Sequence, residues 1–424
     1  MKYSFFLSSL IVIAITSCNN PKPSRGSSYH VIDIESNIEH QEVIKLSQFS
    51  EDISYVPLET KDYFYADAYF KCVFLDSLIL IYDLNRCALY SSNGRFLTRI
   101  GVKGSGPGEF QFCIQACFSK KNSIFLQGSL YDLYEYSLDG TFIAEYKNIF
   151  KIDDSDDKFV YNWAIINDSL FFCHLPNSTG QMDYKYLLIN KSGETIQTWK
   201  NYDIFLREGF EYAYEQKAYF NFFNGDLFVK QFFNDTIFFL NEGKELIPKF
   251  IINLGNLKMP LEVRAGRFGG KELWSYLTLY DFYQNERYLF LNFMFGNRFP
   301  AKRLTPKATP VGQSWFNTTH ILGVVDKNTL DVKFCKPSNT DNPLFTTGIY
   351  NDIDAGPKFF PKQMVNDSTM AMLVESSDLI GHVKSNDFTS TKSKYPEKKK
   401  ELENLTNSLK ETDNPVLVLV SLKK

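Results

Sequence analysis

An excess of charge of either sign is what this 424-residue sequence lacks. Its 46 lysines and arginines face 49 aspartates and glutamates, a net charge of −3, which gives no support to a nucleic-acid partner or a polybasic grip on a membrane. Histidine is scarce at five residues. No His-Glu-x-x-His pair, Gly-x-Ser-x-Gly elbow or phosphate loop ending in Gly-Lys-Ser/Thr occurs. The cysteines after position 18 (Cys72, Cys87, Cys113, Cys117, Cys173 and Cys335) fit no zinc spacing. They read as buried free thiols with Cys113-x-x-x-Cys117 the one close pair, although an exported compartment would permit disulfides. Long helical patterns are few, and the apolar run from Phe5 to Ile15 is too short to cross a membrane.

What the chain does have is aromatic side chains. They make up 16% of it, with 39 Phe and 25 Tyr, the composition of β-rich packing. The first residues are processing signal rather than fold. Lys2 followed by the apolar run has the form of an export signal. Ile15-Thr16-Ser17-Cys18 resembles a bacterial lipobox, which makes Cys18 the expected lipidation site. An ordinary signal peptide with an incidental cysteine is the alternative. Residues 19–30, rich in Pro and Ser near their start, are expected to form a tether, and residues 31–424 a single domain.

Turn signals then recur at a regular interval. Asn93-Gly94 sits between alternating runs, the strongest short-range signal for a two-residue hairpin. Comparable turns at Asp139-Gly140, Ser192-Gly193 and Glu242-Gly243 follow roughly 50 residues apart, the period of a four-stranded propeller blade. The spacing predicts an all-β, six-bladed β-propeller of four-stranded blades with small helical insertions. A seventh blade remains open if 258–310 hides one. Pro57 restricts the strand Ile53 to Leu58 to an edge or ends it early. The apolar terminal run Pro415 to Leu422 is expected to pair with it and close the ring. Lys271 to Tyr280 reads as an amphipathic helix, Pro396 to Leu409 as a charged outer helix, and the last blade as starting near Thr346 to Ile353. About 60 residues per blade exceeds a compact repeat, so long loops are expected on one face.

Several motifs resemble those of the six-bladed β-propeller lipoproteins of Bacteroidetes. They are the lipobox, Tyr55 to Thr60 (YVPLET), the glycine connector Gly101 to Phe110 ending in GPGEF, Phe233 to Leu240 (FNDTIFFL), Asn351 to Pro361 (NDIDAGPKFFP) and the terminal DNPVLVLVSLK. The connector also resembles the link between blades of NHL-type propellers. The resemblance covers nearly the whole mature chain and implies the fold; it implies no single activity.

Propellers bind ligands over the central channel at one face. Asp352-x-Asp354 is the best acidic cluster near an expected inner strand, suited to a cation or a sugar, or simply two turn-forming aspartates. His174, His320 and His382 are candidates to face the channel, or core histidines. Trp163, Trp199, Trp274 and Trp315 could stack on a sugar or pack between blades. The leading reading is a monomeric, lipid-anchored envelope propeller, on the periplasmic face of the outer membrane. It binds a glycan, peptide or envelope protein without catalysis and needs no cofactor. The alternative is a carbohydrate hydrolase or lyase with a carboxylate or metal site in the channel, calcium being the ion it would take.

Overall fold

The computed structural model describes residues 29–61, 66, 70–152, 159–177, 180–206, 217–265, 275–294, 320–337 and 347–423. Six small sheets form a ring, a six-bladed β-propeller. Blade one is Lys71–Leu75, Leu78–Tyr82, Cys87–Ser91 and Phe96–Arg99. Blade two is Gln115–Phe118, Ser123–Gln127, Leu133–Ser137 and Phe142–Tyr146. Blade three is Asn162–Asn167, Leu170–His174, Tyr184–Asn190 and Thr195–Lys200. Blade four is Ala218–Phe223, Asp226–Gln231, Thr236–Leu240 and Leu246–Asn253. Blade five is Thr278–Gln284, Tyr288–Met294, His320–Asp326 and Val332–Cys335. The first strands of neighbouring blades touch and so line the ring's centre.

Blade six is made by both chain ends. Gln363–Asn366 and Thr369–Val374 pair with the terminal strand Val416–Leu422, which pairs on its other side with Ser50–Pro57. The strand ending in Pro57 is the outermost, where a missing N–H costs least. Upstream, His30–Asp33 adds in parallel to the outer edge of blade four and Gln41–Glu42 to that of blade five. This strap covers two sheet edges that would otherwise be open.

Three expectations are corrected. Residues 271–274 lie outside the described set, but Thr278 to Tyr280 begin the inner strand of blade five rather than ending a helix. Ladder bonds to Tyr288–Met294 override the helix-like reading from Thr278 onward. The inner strand of blade six is Gln363–Asn366, whereas Ile349 to Asp354 forms a turn and two isolated bridges. The region of the possible seventh blade supplies two strands of blade five.

Because strands alternate in direction, links between first and second and between third and fourth strands share one face. These are tight turns, as at Asp76-Ser77, Asn93-Gly94, Asp139-Gly140 and Asn224-Gly225. The opposite face carries the long link 375–415 and the strand ends on either side of 201–217, 254–277, 295–319 and 336–362.

Gly94 shows how tightly the short-turn face is fitted. Its φ is +83°, and a Cβ there would lie 2.0 Å from the Pro57 carbonyl oxygen of the closing blade. Gly225 has nearly the same φ, +82°, and open space around it. Gly94→Ala is therefore expected to lose about 2 kcal/mol or more, strain plus collision, and Gly225→Ala about 1 kcal/mol, strain alone. Urea midpoints of the two variants would show the difference; equal losses would contradict the contact.

Candidate functional site

At the long-link end of the channel, blades four, five and six bring together six polar side chains, five of them on partly accessible residues and one, Lys230, fully enclosed. Each is placed by a strand end: Tyr219 and Lys230 by blade four, Tyr280, Asp281 and His320 by blade five, and Lys362 just before the inner strand of blade six. The Tyr280 ring lies 5.5 Å from Tyr219 and 5.3 Å from His320, edge-on to the latter. Phe360 lies 6.3 Å beyond His320, and the Lys362 ammonium is 4.6 Å from the Phe360 ring centroid. Tyr219, Tyr280 and His320 are half-buried.

Asp281 is the carboxylate of this group. It accepts from the Phe282 N–H at 2.8 Å and from the Tyr283 hydroxyl at 2.7 Å. That hydroxyl is also 2.5 Å from the Lys362 carbonyl, bridging blades five and six. Burial pushes Asp281 up to about 6, with the Tyr283 and Phe282 hydrogen bonds and then the charges of Lys362 and Lys230 pulling it back. Burial likewise lowers Lys362, opposed by Asp281. Both side chains nonetheless keep solvent-accessible surface, as groups lining a narrow opening do.

Lys230 is fully buried, and its Nζ donates to the carbonyls of Gln231, Phe232 and Leu279, each at 2.8 Å. The Leu279 bond joins blade four to the inner strand of blade five. His320 Nδ1 is 3.1 Å from Asn292 Oδ1. Burial first, then the Lys362 charge, brings its pKa down to about 3, so it stays neutral. On the short-turn face, the Asn224 N–H donates to Asp367 at 3.2 Å and its Nδ2 lies 3.5 Å from Glu286. The turns of the same three blades are thereby tied together beneath the cluster.

Of the sequence candidates among the described residues, only His320 belongs to this group. Asp352 accepts from the Ser47 N–H and hydroxyl at 2.9 and 2.7 Å, fixing the short turn Leu46–Gln48. Asp354 is buried and accepts from Asn351 Nδ2 at 2.6 Å and the Gly356 N–H at 2.8 Å, beside Tyr55 of the outermost strand. Both aspartates therefore sit at the outer side of blade six, away from the channel, and hold turns. His174 is buried in blade three, with neither ring nitrogen partnered and its pKa brought down to about 3 by burial and then Lys185. His382 lies on the helix Ser376–Val383, with Nε2 2.9 Å from the Ala355 carbonyl. Trp163 and Trp199 pack against Phe171 and Phe172; Trp274, Trp315 and Cys18 lie outside the described residues. Among the described residues, no three His, Cys, Asp or Glu side chains are grouped to hold a metal ion, and no helix is long and apolar enough to cross a membrane.

Sequence reasoning missed Tyr219, Lys230, Tyr280, Asp281 and Lys362. One local signal existed: Lys230 interrupts the apolar run Leu227 to Phe233, and lysine is almost never fully buried without partners.

The family model described as a domain of unknown function, DUF4934, matches residues 29–421. No curated protein matches the chain. A crystal structure of a protein from Bacteroides fragilis described as exported superimposes with a TM-score of 0.62 at 17% identity, covering 93% of this chain and 100% of that one. A member of the DUF4221 family from Bacteroides vulgatus gives a TM-score of 0.49 at 10% identity, covering 91% and 98%. The first of these likenesses speaks to the fold alone.

Proposed function

We propose, for a chain that belongs to the DUF4934 family, an envelope binding module that takes a glycan at the long-link mouth of its channel. The observation that carries this reading is the half-buried row Tyr219, Tyr280 and His320 beside the Asp281 carboxyl and the Lys362 ammonium. Flat ring faces suit the apolar face of a sugar, while a carboxylate and an ammonium accept from and donate to its hydroxyls. A hydrolase would need a second carboxyl across the sugar; among the described residues, the charged groups acting on Asp281 are the amines Lys362 and Lys230. In the same reading, residues 1–17 are removed on export, Cys18 becomes the N-terminus and carries the lipid, and 19–30 tether a monomer at the periplasmic face of the outer membrane.

Titration calorimetry of the chain from Asn19 onward against purified glycans tests the reading. Tyr280→Ala is expected to weaken binding about tenfold or more, as loss of an aromatic contact does. Binding should also weaken as pH falls through about 6, where Asp281 takes up a proton. Undiminished affinity in Tyr280→Ala would remove the site from consideration. A calcium-dependent melting shift abolished by EDTA would favour the metal-dependent alternative instead.

A further inference from the structure

Three of the six described cysteines converge where blades one and two meet. Cys87 opens the third strand of blade one, and Cys113 lies just before the inner strand of blade two; both are nearly fully buried in one apolar cluster. The backbone brings them together from both sides. The Cys113 N–H donates to the Leu84 carbonyl at 2.9 Å, and the Cys87 carbonyl accepts from the Ile100 N–H at 2.9 Å. The Cys87 and Cys113 side chains act on each other across this cluster, and Tyr82 lies near both and near Cys117. The pair that the sequence brings closest, Cys113 and Cys117, is the wrong one. Four residues along a nearly extended chain separate their Cα atoms by about 13 Å, beyond the roughly 7 Å limit for a bridge.

We propose that Cys87 and Cys113, thiols in this structure, are joined by a disulfide in the exported protein. The bond forms when each thiol gives up one proton and the two sulfurs together give up two electrons. A partner disulfide, either a thiol–disulfide oxidoreductase or oxidised glutathione, accepts these and is cleaved to two thiols. Burial holds the Cys87 thiol well above the ordinary range, which keeps the reactive thiolate scarce once the blades have closed. Oxidation therefore belongs to folding. The bridge would fasten blade two to blade one across the connector, constraining the unfolded chain between them. The proposal rests on the export reading, and its test separates the two.

The test compares full-length protein recovered from the cell envelope with mature chain made in a reducing cytoplasm. Both are acid-quenched, unfolded, alkylated and mapped by mass spectrometry. A Cys87–Cys113 linked peptide in the envelope protein, with Cys117 alkylated, is the expected result. A third sample, mature chain unfolded and refolded with oxidised glutathione, asks about the pairing alone. If it forms the bridge while the envelope protein does not, export into an oxidising space is what fails. If it stays reduced or links Cys117, the pairing itself is overturned. Reductant should lower the melting temperature of the bridged protein by several degrees and leave the double variant Cys87→Ser, Cys113→Ser unmoved.

Discussion

Lys230→Ala is expected to cost the fold about 3–5 kcal/mol, seen as a lower urea midpoint, although the residue touches no solvent. The side chain is fully enclosed, so truncation leaves a cavity three carbons and a nitrogen long, and large-to-small core changes of that size cost about 2–5 kcal/mol. It also strips a donor from the carbonyls of Gln231, Phe232 and Leu279. Lys230→Met separates the two contributions. Methionine refills the space and removes a cation whose burial is costly, offsetting much of the lost hydrogen bonding, so a loss of about 1–2 kcal/mol is expected. The lysine has a pH signature as well. Burial brings its folded pKa down to about 7, against the pulls of Asp235 and Asp281. Between that value and the unfolded value near 10.5, the unfolded chain holds the extra proton, so stability should rise with pH in that window. The slope is at most about 1.4 kcal/mol per unit, and Lys230→Met should abolish it. A wild type whose urea midpoint is flat from pH 7 to 9 would mean that the three carbonyls keep the ammonium charged.

The contrast between legible and illegible parts of the chain follows from range. Asn93-Gly94, Asp139-Gly140 and Ser192-Gly193 could be read because a tight turn is decided by the residues inside it; all three glycines have positive φ. Pro57 fixed an edge by lacking an N–H, and the apolar run Val416–Leu422 needed a cover on both faces, which only a central strand provides. Gln115–Phe118 was missed as a strand because its four residues, QACF, carry too little pattern to register. The strap strand His30–Asp33 pairs with Phe250–Asn253, more than two hundred positions away, and such a partner leaves no local mark. The binding cluster is the extreme case. Tyr219, Lys230 and His320 sit in or beside segments that read as ordinary β-core, Tyr280 and Asp281 at the end of one that reads as a helix, and Lys362 between elements; only the packing of three blades makes them neighbours. Asp352 and Asp354 drew notice through their spacing, the same spacing that turn formation requires.

Val418→Pro is expected to prevent cooperative folding of the whole chain, which closure of the ring explains. Val418 is fully buried in the middle of the terminal strand, opposite Met372 on one side and Tyr55 on the other. Proline there removes a ladder donor and sets its ring against neighbours in a central strand, costing about 3 kcal/mol or more locally. In any of the first five blades the damage would stop at one sheet, because consecutive hairpins hold the rest. In blade six the same strand carries the contact between the chain's two ends. Its Leu417 packs with Leu58, Ala371 and Leu373 against Ile79, Ile81 and Tyr90 of blade one. Losing it opens the ring and uncovers the apolar faces of blades six and one together. Leu97→Pro is the control. Leu97 lies in the outer strand of blade one, unpaired at a bulge and partly exposed, so proline there should cost about 1 kcal/mol or less. Melting followed by circular dichroism would decide it: a sharp transition in Leu97→Pro and none in Val418→Pro is expected. A Val418→Pro protein that still melts sharply would show that the ring stays shut without its terminal strand.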